Sequence, residues 1–223
     1  NDAAFFVSHR LSLALKAKQH GAEVMLIIGK NNNFIREEKA FKVLNENKIS
    51  FYVCSYSQGY GNIFNELLGF IQLIRTLKKF KPDCIHSVTA KANLFSLIAV
   101  KLFIKCKIVL SISGLGTLFT GKIQGFKFFT QVFYVNLVRL LIKNLKIKII
   151  FQNKDDKKIF VSFSKIQETN TTIIPGSGVN TKKLRPNYQN KIKGRIILPA
   201  RIIKEKGIYE FVEASQLLKK ENV

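Results

Sequence analysis

Residues 84–112 read CIHSVTAKANLFSLIAVKLFIKCKIVLSI, and this stretch decides the fold. Two short apolar runs, Cys84–Val88 and Lys107–Ile112, stand on either side of a longer helical segment, Asn93–Phe103. The change in hydrophobic period predicts strand, helix and strand. Strands joined through a helix pair in parallel, so the stretch predicts a parallel sheet covered by helices.

The same alternation continues along most of the 223 residues. Further helices are predicted at Ser8–His20, Glu37–Asn47, Ile63–Lys81, Phe128–Asn144 and Lys154–Phe163. Further strands are predicted at Glu23–Ile28, Ile49–Ser55, Ile147–Phe151 and Thr171–Ile174. The predicted fold class is therefore α/β, with a parallel sheet and helices on both of its faces.

The alternation breaks near residue 185. Residues 184–194, LRPNYQNKIKG, are polar and aperiodic, as is typical of an interdomain linker. After them a strand at Arg195–Pro199 and a helix at Tyr209–Lys220 are predicted as the first βα unit of a second domain. We therefore expect a first domain over residues 1–183 and a truncated second domain over 195–223, in a chain that is cut at both ends.

The charge balance is strongly positive. The chain has 37 Lys and Arg against 14 Asp and Glu, a formal net charge of +23 and a pI of about 10.1. Between Asp83 and Asp155 there is no acidic residue, whereas there are eleven basic ones. Such a charge suits nucleic acid, an anionic membrane or an anionic substrate, and it does not decide among them. The 47% of hydrophobic residues argue against disorder.

Cysteine and histidine are sparse. The three cysteines, Cys54, Cys84 and Cys106, are widely spaced and predict neither a disulfide framework nor a zinc site. None of the three histidines has metal-ligand spacing. We therefore predict no metal.

Ligands of open parallel sheets bind beyond the carboxyl ends of the strands, so the loops that follow the strands are the candidate sites. These loops are rich in glycine, small hydroxyl residues and basic residues, which can bind phosphate. They are SVTAK at 87–91, SGLG at 113–116, QNKDD at 152–156, PGSGVN at 175–180 and RIIKEKG at 201–207.

The last of these loops is the strongest case. Arg201 and Lys206 flank a tight turn, and Gly207 opens a helix whose N-terminus carries partial positive charge. Phosphate bound there would gain from the dipole and from both side chains. The alternative is a solvated basic loop. The glycines of SGLG and PGSGVN fit a close ligand approach or, equally, a simple turn.

Single residues are ambiguous. His9, at the start of a helix, is a proton donor, an acceptor-binding group, or simply a helix cap or surface residue. His86, in an apolar strand, is predicted to be a core histidine with satisfied hydrogen bonds. Asp155 and Asp156 are predicted to cap a helix. The sequence contains no Ser/His/Asp or Cys/His arrangement from which nucleophilic catalysis can be argued.

Five strings, in order, resemble the group 1 (family four) glycosyltransferases, which have the two-Rossmann-domain GT-B fold. They are HSVTAKANLFSLIAVKL at 86–102, SISGLGTLFT at 111–120, IIFQNKDDKKIF at 149–160, IIPGSGVNTKKLRP at 173–186 and ILPARIIKEKGIYEFVEASQLLK at 197–219. The opening residues, 1–24, are similar to the family's first loop and helix, which follow a first strand that this sequence lacks. The likeness is greatest to the branch that acts on polyprenyl-diphosphate-linked glycans.

The resemblance implies a retaining enzyme. It would move a hexose or N-acetylhexosamine from a nucleotide-diphosphate sugar, expected to be a UDP-sugar, to a lipid-linked saccharide. The nucleotide sugar is a substrate, and no cofactor or metal is expected. Because the later part of the donor-binding domain is absent, this chain alone is expected to be inactive.

The resemblance also assigns residues. The family's contacts to the donor diphosphate fall on Arg201 and Lys206. Its interdomain cleft falls on Ser113, Gly114, Gly116, Gly176 and Gly178, and its acceptor side falls on His9, Arg10, Ser87 and Lys91. Ser113 stands where many relatives have histidine, so a catalytic imidazole is not expected there.

A lipid-linked acceptor implies a peripheral enzyme at the cytoplasmic face of the cell membrane. No apolar run reaches the roughly 18 to 20 residues of a spanning helix. The region around 126–148 carries a wide apolar stripe with basic flanks, formed by Phe126, Phe128, Phe129, Phe133, Tyr134, Leu137, Leu140 and Leu141 with Lys122, Lys127, Arg139, Lys143, Lys146 and Lys148. The alternative is an ordinary packed helix.

The rival function is that of a basic α/β nucleic-acid-binding protein without catalysis, which the net charge motivates. The sequence has no interleaving of aromatic and basic residues of the RNA-binding type and no recognition-helix motif. We therefore expect no nucleic-acid partner.

Overall fold

The computed structural model describes residues 2–31, 33–57, 61–115, 126–182, 184–190, 192, 194–200, 202 and 204–220. The chain divides into two compact units, Asn1–Gly178 and Val179–Val223. The domain limits drawn from the sequence, with a linker over 184–194, stay a prediction.

Strands and helices alternate along the first unit. Its helices are α1 (Ala3–His9), α2 (Leu11–Gln19), α3 (Phe34–Glu46), α4 (Ile63–Phe80), α5 (Ala90–Leu102), α6 (Phe126–Ile142) and α7 (Lys154–Ser164). Its strands are β1 (Met25–Lys30), β2 (Ser50–Ser57), β3 (Cys84–Val88), β4 (Lys107–Ile112), β5 (Ile147–Phe151) and β6 (Thr171–Ile173). The second unit contains α8 (Ile208–Lys220).

All strand pairs in the described residues are parallel, which confirms the predicted α/β class. The strands form two sheets, however. One has the order β1-β2, and the other has the order β3-β4-β5-β6. The register places Met25 opposite Ser50 in the first sheet and Ile108 opposite Ile147 in the second.

The largest core lies on β4 and β5. Both strands have neighbours on each side, so their apolar residues are shielded by strands and by helices. The rings of Phe151 and Phe160, both almost fully buried, meet edge to face at 5.5 Å between centroids. Leu97 of α5 and Val138 of α6 complete this cluster, which therefore joins three helices to the sheet.

Two smaller cores lie beside β1 and β2. One joins α1, α2 and α3 to β1 through the small residues Ala3, Ala14 and Ala40. The other joins α4 and α5 to β2 through residues that include Leu73, Leu77 and Ala99. The helices that cover the sheets thus fall into two groups, α1–α3 and α4–α7, which share no core cluster.

Polar side chains set several helix ends. The Asn153 side chain accepts a hydrogen bond from the Asp156 backbone N–H at 2.8 Å and donates one to the Asp156 carboxylate at 2.7 Å. This confirms that Asp155 and Asp156 lie in the first turn of α7, where negative charge complements the helix dipole. The C-terminal end of α4 is also defined by sequence. Its C-cap residue Lys81 has a left-handed backbone, with a φ of 52°, and directly precedes Pro82.

Two elements differ from the prediction. The helix predicted at Ser8–His20 is divided at Arg10, whose φ of −133° and ψ of −11° are not helical. No proline or glycine lies at that position, and the break separates two helices that each place alanines in the same core. The segment Arg195–Pro199 forms no strand among the described residues. A lone strand has no partner for its backbone N–H and C=O groups, and the described part of the second unit offers none.

The crossing of α4 over β2 generates a test. A Cβ at Gly69 would fall on the backbone nitrogen of Tyr56, which cannot move away as a flexible side chain would. Gly69→Ala is therefore expected to lower the free energy of unfolding by about 1–3 kcal/mol through overpacking, although alanine normally favours a helix interior.

Urea denaturation measures this change. Gly114→Ala is the matched control, because a Cβ at Gly114 meets only open space. A Gly69→Ala variant as stable as the parent would contradict the close approach of α4 to β2.

Candidate functional site

Lys91 is held by several groups at the carboxyl ends of β2 and β3. Its ammonium lies 2.9 Å from Glu66 Oε1 and donates to the Ser57 carbonyl at 2.8 Å. The Glu66 carboxylate also accepts from the backbone N–H and the hydroxyl of Ser57, at 3.3 and 3.4 Å. Lys91 at the start of α5 thus connects β2 and α4 to α5. Its ammonium forms an ion pair with Glu66, a residue that was not predicted from the sequence to be part of a site.

A chain of hydrogen bonds runs from Ser87 to His86. The Ser87 hydroxyl donates to Asn93 Oδ1 at 2.8 Å, and the Asn93 amide donates to the Ser111 carbonyl at 3.1 Å. The Ser111 hydroxyl and His86 Nε2 share a hydrogen bond of 2.8 Å. Ser87, Asn93 and Ser111 are buried. Ser87 therefore joins β3 to α5, and its hydroxyl proton is committed inside the protein.

Thr89 connects β3 to α5 in a strained conformation. Its φ of 82° is rare for a β-branched residue, and its side chain makes no capping hydrogen bond to α5. Such strain is concentrated at ligand-binding and catalytic positions, where the surrounding structure holds it. The SVTAK loop thus contains a strained backbone conformation that could not be predicted from the sequence.

Arg10, His86 and Ser87 line one cavity of about 380 Å³. The Nε of Arg10 is buried and has no hydrogen-bond partner among the described residues. Desolvation lowers the pKa of His86, and the positive charge of Arg10 lowers it further, so the imidazole is neutral near pH 7. The structure thus brings together two predicted acceptor-side residues, Arg10 and Ser87, and adds His86.

The predicted burial of His86 is wrong in one respect. Its hydrogen bond to Ser111 is satisfied, as expected, but the residue keeps solvent-accessible surface, although its imidazole is largely desolvated. The exposure has a physical cause, because β3 has no strand partner among the described residues on the side away from β4.

His9 lies apart from this group. Its ring stacks on Phe5 at 4.4 Å between centroids, and its Nδ1 contacts the Ser8 hydroxyl at 2.6 Å and the Phe5 carbonyl at 3.1 Å. The residue is exposed and does not line the cavity of Arg10. The imidazole keeps its Nε2 for solvent or a ligand.

The glycine-rich loops present open surface. Ser113 and Gly114 are exposed after β4, and Gly116 lies outside the described residues. Gly176 and Gly178 have φ values of 67° and 70°, which favour glycine whether or not a ligand approaches. The assignment of all five residues to a cleft stays a prediction.

The predicted diphosphate site belongs to the second unit. Lys206 ends a single turn of 3-10 helix, Lys204–Lys206, directly before Gly207, whose φ is 69°, and α8. Its side chain is exposed. Arg201 lies outside the described residues, so the predicted pairing of Arg201 with Lys206 stays a prediction.

Potential metal ligands and thiols are dispersed over the described residues. They contain no cluster of three or more His, Cys, Asp or Glu that could hold a metal ion. Burial raises the pKa of Cys54 to about 12 and also raises those of Cys84 and Cys106, so all three thiols stay protonated.

The apolar stripe predicted near residue 133 divides between core and surface. Leu141 is buried in the main core, and Tyr134 and Leu137 pack against it. The exposed face of α6 consists of Phe128, Phe129, Val132, Phe133 and Leu140. Lys122 and the side chains of Phe126 and Lys127 are outside the described set. Part of the predicted stripe thus covers the sheet, and part of it is exposed.

A second exposed apolar stripe lies on α4 and was not predicted from the sequence. Ile63, Phe64, Leu67, Leu68 and Ile71 are all at least 38% exposed and recur with helical spacing. The opposite face of α4 is buried through Gly69, Leu73 and Leu77. The signal was an apolar content larger than one buried face requires. In the part of the chain that the structure describes, no helix has the length and hydropathy to cross a bilayer.

Comparison with known proteins gives one family. The family model described as "Glycosyl transferase 4-like" matches residues 1–154. An N,N'-diacetylbacillosaminyl-diphospho-undecaprenol alpha-1,3-N-acetylgalactosaminyltransferase of Campylobacter jejuni is 28% identical over 181 residues, which are 75% of this chain and 47% of that protein. The capsular polysaccharide biosynthesis glycosyltransferase CapM of Staphylococcus aureus is 25% identical over 167 residues, 70% of this chain and 42% of that protein.

Among solved structures, MurG of Acinetobacter baumannii aligns with 74% of this chain and 61% of its own, at a TM-score of 0.36 and 13% identity. The chain spans about half the length of the curated relatives that it matches.

The Lys91–Glu66 pair generates a second test. Glu66 Oε2 is buried without a hydrogen-bond partner among the described residues, so loss of the ammonium would leave a poorly solvated carboxylate. Lys91→Met is expected to lower the free energy of unfolding by about 1–3 kcal/mol, measured by urea denaturation.

The control is the Lys157–Glu168 pair, in which the Glu168 side chain is 75% exposed. Lys157→Met should cost at most about 1 kcal/mol. Equal losses in the two variants would mean that Lys91 forms an ordinary surface ion pair.

Proposed function

Because the chain belongs to the glycosyl transferase 4-like family, we propose that the whole polypeptide transfers a hexose or N-acetylhexosamine from a nucleotide-diphosphate sugar to a lipid-linked saccharide. Family membership confirms the resemblance that the five sequence strings indicated. The observation that carries the proposal is the match over residues 1–154. The name of the Campylobacter relative, an N-acetylgalactosaminyltransferase for an undecaprenol-diphosphate-linked sugar, supports this acceptor class.

In this proposal the donor diphosphate binds Arg201 and Lys206. Lys206 ends the turn before α8, so phosphate oxygens there would face the partial positive charge of a 13-residue helix. We propose a UDP-sugar as donor. The two cations stabilise the departing diphosphate, which is the charge that develops in the transition state.

The transfer is proposed to retain configuration at the sugar carbon. A retaining transfer needs a stabilised leaving group and an oxocarbenium-like centre. Fixed cations can stabilise the leaving group without a metal ion, and we propose that the reaction needs no metal ion. Ser113, in the loop after β4, supplies no imidazole for the reaction.

On the acceptor side we propose unequal roles for the four predicted residues. Arg10, with a buried and unpartnered Nε, and His9, with an exposed ring, can contact an acceptor. Ser87 and Lys91 already bind Asn93 and Glu66, so they hold the ends of β2 and β3 in place. Loops at these ends would then carry the acceptor saccharide.

We further propose that the protein attaches peripherally to the inner face of the cell membrane, where a lipid-linked acceptor is reached. The exposed apolar residues of α4 and α6 support this proposal. Arg75, Lys78 and Lys79 are exposed at the C-terminal end of the α4 stripe. Each basic residue near anionic lipid contributes about 1 kcal/mol.

The transfer assay uses the full-length polypeptide, UDP-sugars and an undecaprenyl-diphosphate-linked saccharide. Arg201→Ala or Lys206→Ala is expected to lower kcat/KM about 10²- to 10³-fold, because each removes a cation from the leaving diphosphate. Lys204→Ala, in the same exposed turn, should leave kcat/KM nearly unchanged. NMR of the product reports the anomeric configuration.

Measurements of transfer, of protection by UDP and of DNA binding distinguish the proposed transferase from the rival nucleic-acid-binding protein. A nucleic-acid-binding protein would show no transfer, no protection by UDP, and tight binding to arbitrary DNA that weakens steeply with salt. Normal kcat/KM in both Arg201→Ala and Lys206→Ala would refute the diphosphate assignment.

Vesicle sedimentation tests the membrane proposal. Binding of the full-length polypeptide is expected with anionic lipid, should fall as salt rises, and should weaken when Lys127, Arg139 and Lys143 become glutamine. The matched control changes three basic residues of α3, whose core is separate from that of α6: Arg36→Gln, Lys39→Gln and Lys42→Gln. Equal binding to neutral and anionic vesicles would contradict the electrostatic account.

A further inference from the structure

Another pocket of the first unit lies at the edge of the sheet opposite the candidate site. It has a volume of about 710 Å³, and it is formed where helices end and the next strands begin. Its lining comes from the segments that join α4 to β3 and α5 to β4, and from the residues directly before β5. The pocket therefore lies at the amino ends of β3, β4 and β5, away from the loops that follow their carboxyl ends.

The lining of this pocket carries an excess of positive charge. It contains five lysines and one acidic residue, Asp83, which gives a formal charge of +4. All five lysines are exposed, whereas Leu77, Val100 and Ile104 of the same lining are buried. Charges of one sign in a recess with apolar walls focus their field on the space between them. The lysines are Lys78, Lys81, Lys105, Lys107 and Lys146.

Capping of helix ends does not account for these lysines. Lys101, in the last turn of α5, is a capping lysine, because its ammonium donates to the Lys143 carbonyl at 2.7 Å. None of the five pocket ammoniums forms a hydrogen bond or an ion pair with a residue that the structure describes. Lys78 lies over the ring of Phe103, at 5.7 Å from its centroid. The pocket lysines thus keep their N–H donors for a ligand.

The backbone that carries these lysines is fixed by hydrogen bonds between the segments. The Lys107 N–H donates to the Asp83 carbonyl at 3.0 Å, and the Ile108 N–H donates to the Lys146 carbonyl at 3.1 Å. These bonds join the start of β4 to the residues directly before β3 and β5. The positive charges therefore converge on a framework that exists before any ligand binds, which reduces the entropy cost of binding.

We propose that this pocket binds a soluble compound that carries two or more linked phosphate groups, such as inorganic pyrophosphate or a nucleoside diphosphate. Lysine binds phosphate as a point charge and through charge-assisted hydrogen bonds. Linked phosphates place several negative charges in a small volume, and that matches a lining of +4. The volume of the pocket also falls in the range of small-molecule sites, about 300–1,000 Å³.

The position of the pocket favours a soluble ligand over a lipid headgroup. The exposed apolar stripe of α4 runs from Ile63 to Ile71, in the part of the helix that follows the carboxyl end of β2. Three of the pocket lysines, Lys105, Lys107 and Lys146, lie instead at the starts of β4 and β5. The pocket is also a recess, whereas a bilayer presents its headgroups on a flat surface. The membrane proposal therefore leaves these lysines unexplained.

Isothermal titration calorimetry of the full-length polypeptide tests the site. Arg201→Ala and Lys206→Ala are introduced first, so that the proposed donor site does not bind the probe. Inorganic pyrophosphate is expected to bind this protein, and orthophosphate is expected to bind about tenfold more weakly because it carries less charge. Transfer activity is not part of the readout, so the result holds whether or not the proposed transferase function is correct.

Two variants with the same loss of charge are compared. The pocket variant should weaken pyrophosphate binding by about tenfold or more, because it removes three of the five ammoniums. The control variant changes three exposed lysines of α2 and α3, and it should change the affinity by less than about twofold. The pocket variant is Lys105→Gln, Lys107→Gln and Lys146→Gln, and the control is Lys16→Gln, Lys39→Gln and Lys42→Gln.

Asp83→Asn gives an independent test. It removes the one carboxylate of the lining and keeps the backbone carbonyl that accepts from Lys107. Pyrophosphate binding is expected to become about twofold tighter or more, because an anion no longer meets a like charge. Urea denaturation shows whether each variant is folded. If the pocket variant does not fold, Asp83→Asn decides, and unchanged or weaker binding would contradict the proposal.

The remaining outcomes concern the kind of ligand. The proposal would be overturned if pyrophosphate did not bind, or if the pocket and control variants lost affinity equally. DNA or anionic vesicles that bind through the pocket lysines more tightly than pyrophosphate does would also overturn it, in favour of nucleic acid or a lipid headgroup. UDP distinguishes the two soluble sources. Equal affinities for UDP and pyrophosphate support recognition of the diphosphate group alone, whereas tighter binding of UDP supports a nucleotide.

Discussion

Every inner strand of a parallel sheet must have a partner on both edges and a helix on both faces, and the rest of this structure depends on that constraint. A buried backbone N–H or C=O without a partner costs about as much as a lost hydrogen bond. β4 and β5 satisfy the constraint completely, and the largest core forms on them, around Phe151 and Phe160. Among the described residues, β1 and β3 satisfy it on one edge only, and Cys84 and His86 of β3 are exposed.

The same parallel arrangement concentrates function at one edge. Since all strands of a parallel sheet point the same way, the loops after them meet there, and residues far apart in sequence become neighbours. Lys91 reaches Glu66 and Ser57, and His86 reaches Ser111. These contacts hold the edge in shape. They also show that Lys91, in a strongly basic chain, is part of a polar network and not merely a contributor to net charge.

Basic residues and exposed apolar stripes have different roles in the proposed transferase. Cations in the second unit suit a departing diphosphate, whereas the exposed apolar stripes of α4 and α6 suit a lipid surface. The opposite face of α4 is buried in the core, so the exposed stripe is not required for packing within the described fold. A net charge of +23 is compatible with both proposals, and the placement of apolar side chains is what favours a membrane over nucleic acid.

The sequence by itself determined the order and type of nearly all elements, because hydrophobic period and helix-ending residues act over a few positions. It predicted β3, β4 and β5 with their observed limits, and it indicated the family through strings of local residues. Only the tertiary structure decided the separation of the two sheets, the break at Arg10, the exposure of His86 and the partnership of Lys91 with Glu66. Each of these depends on which distant segments meet, and neither period nor propensity carries that information.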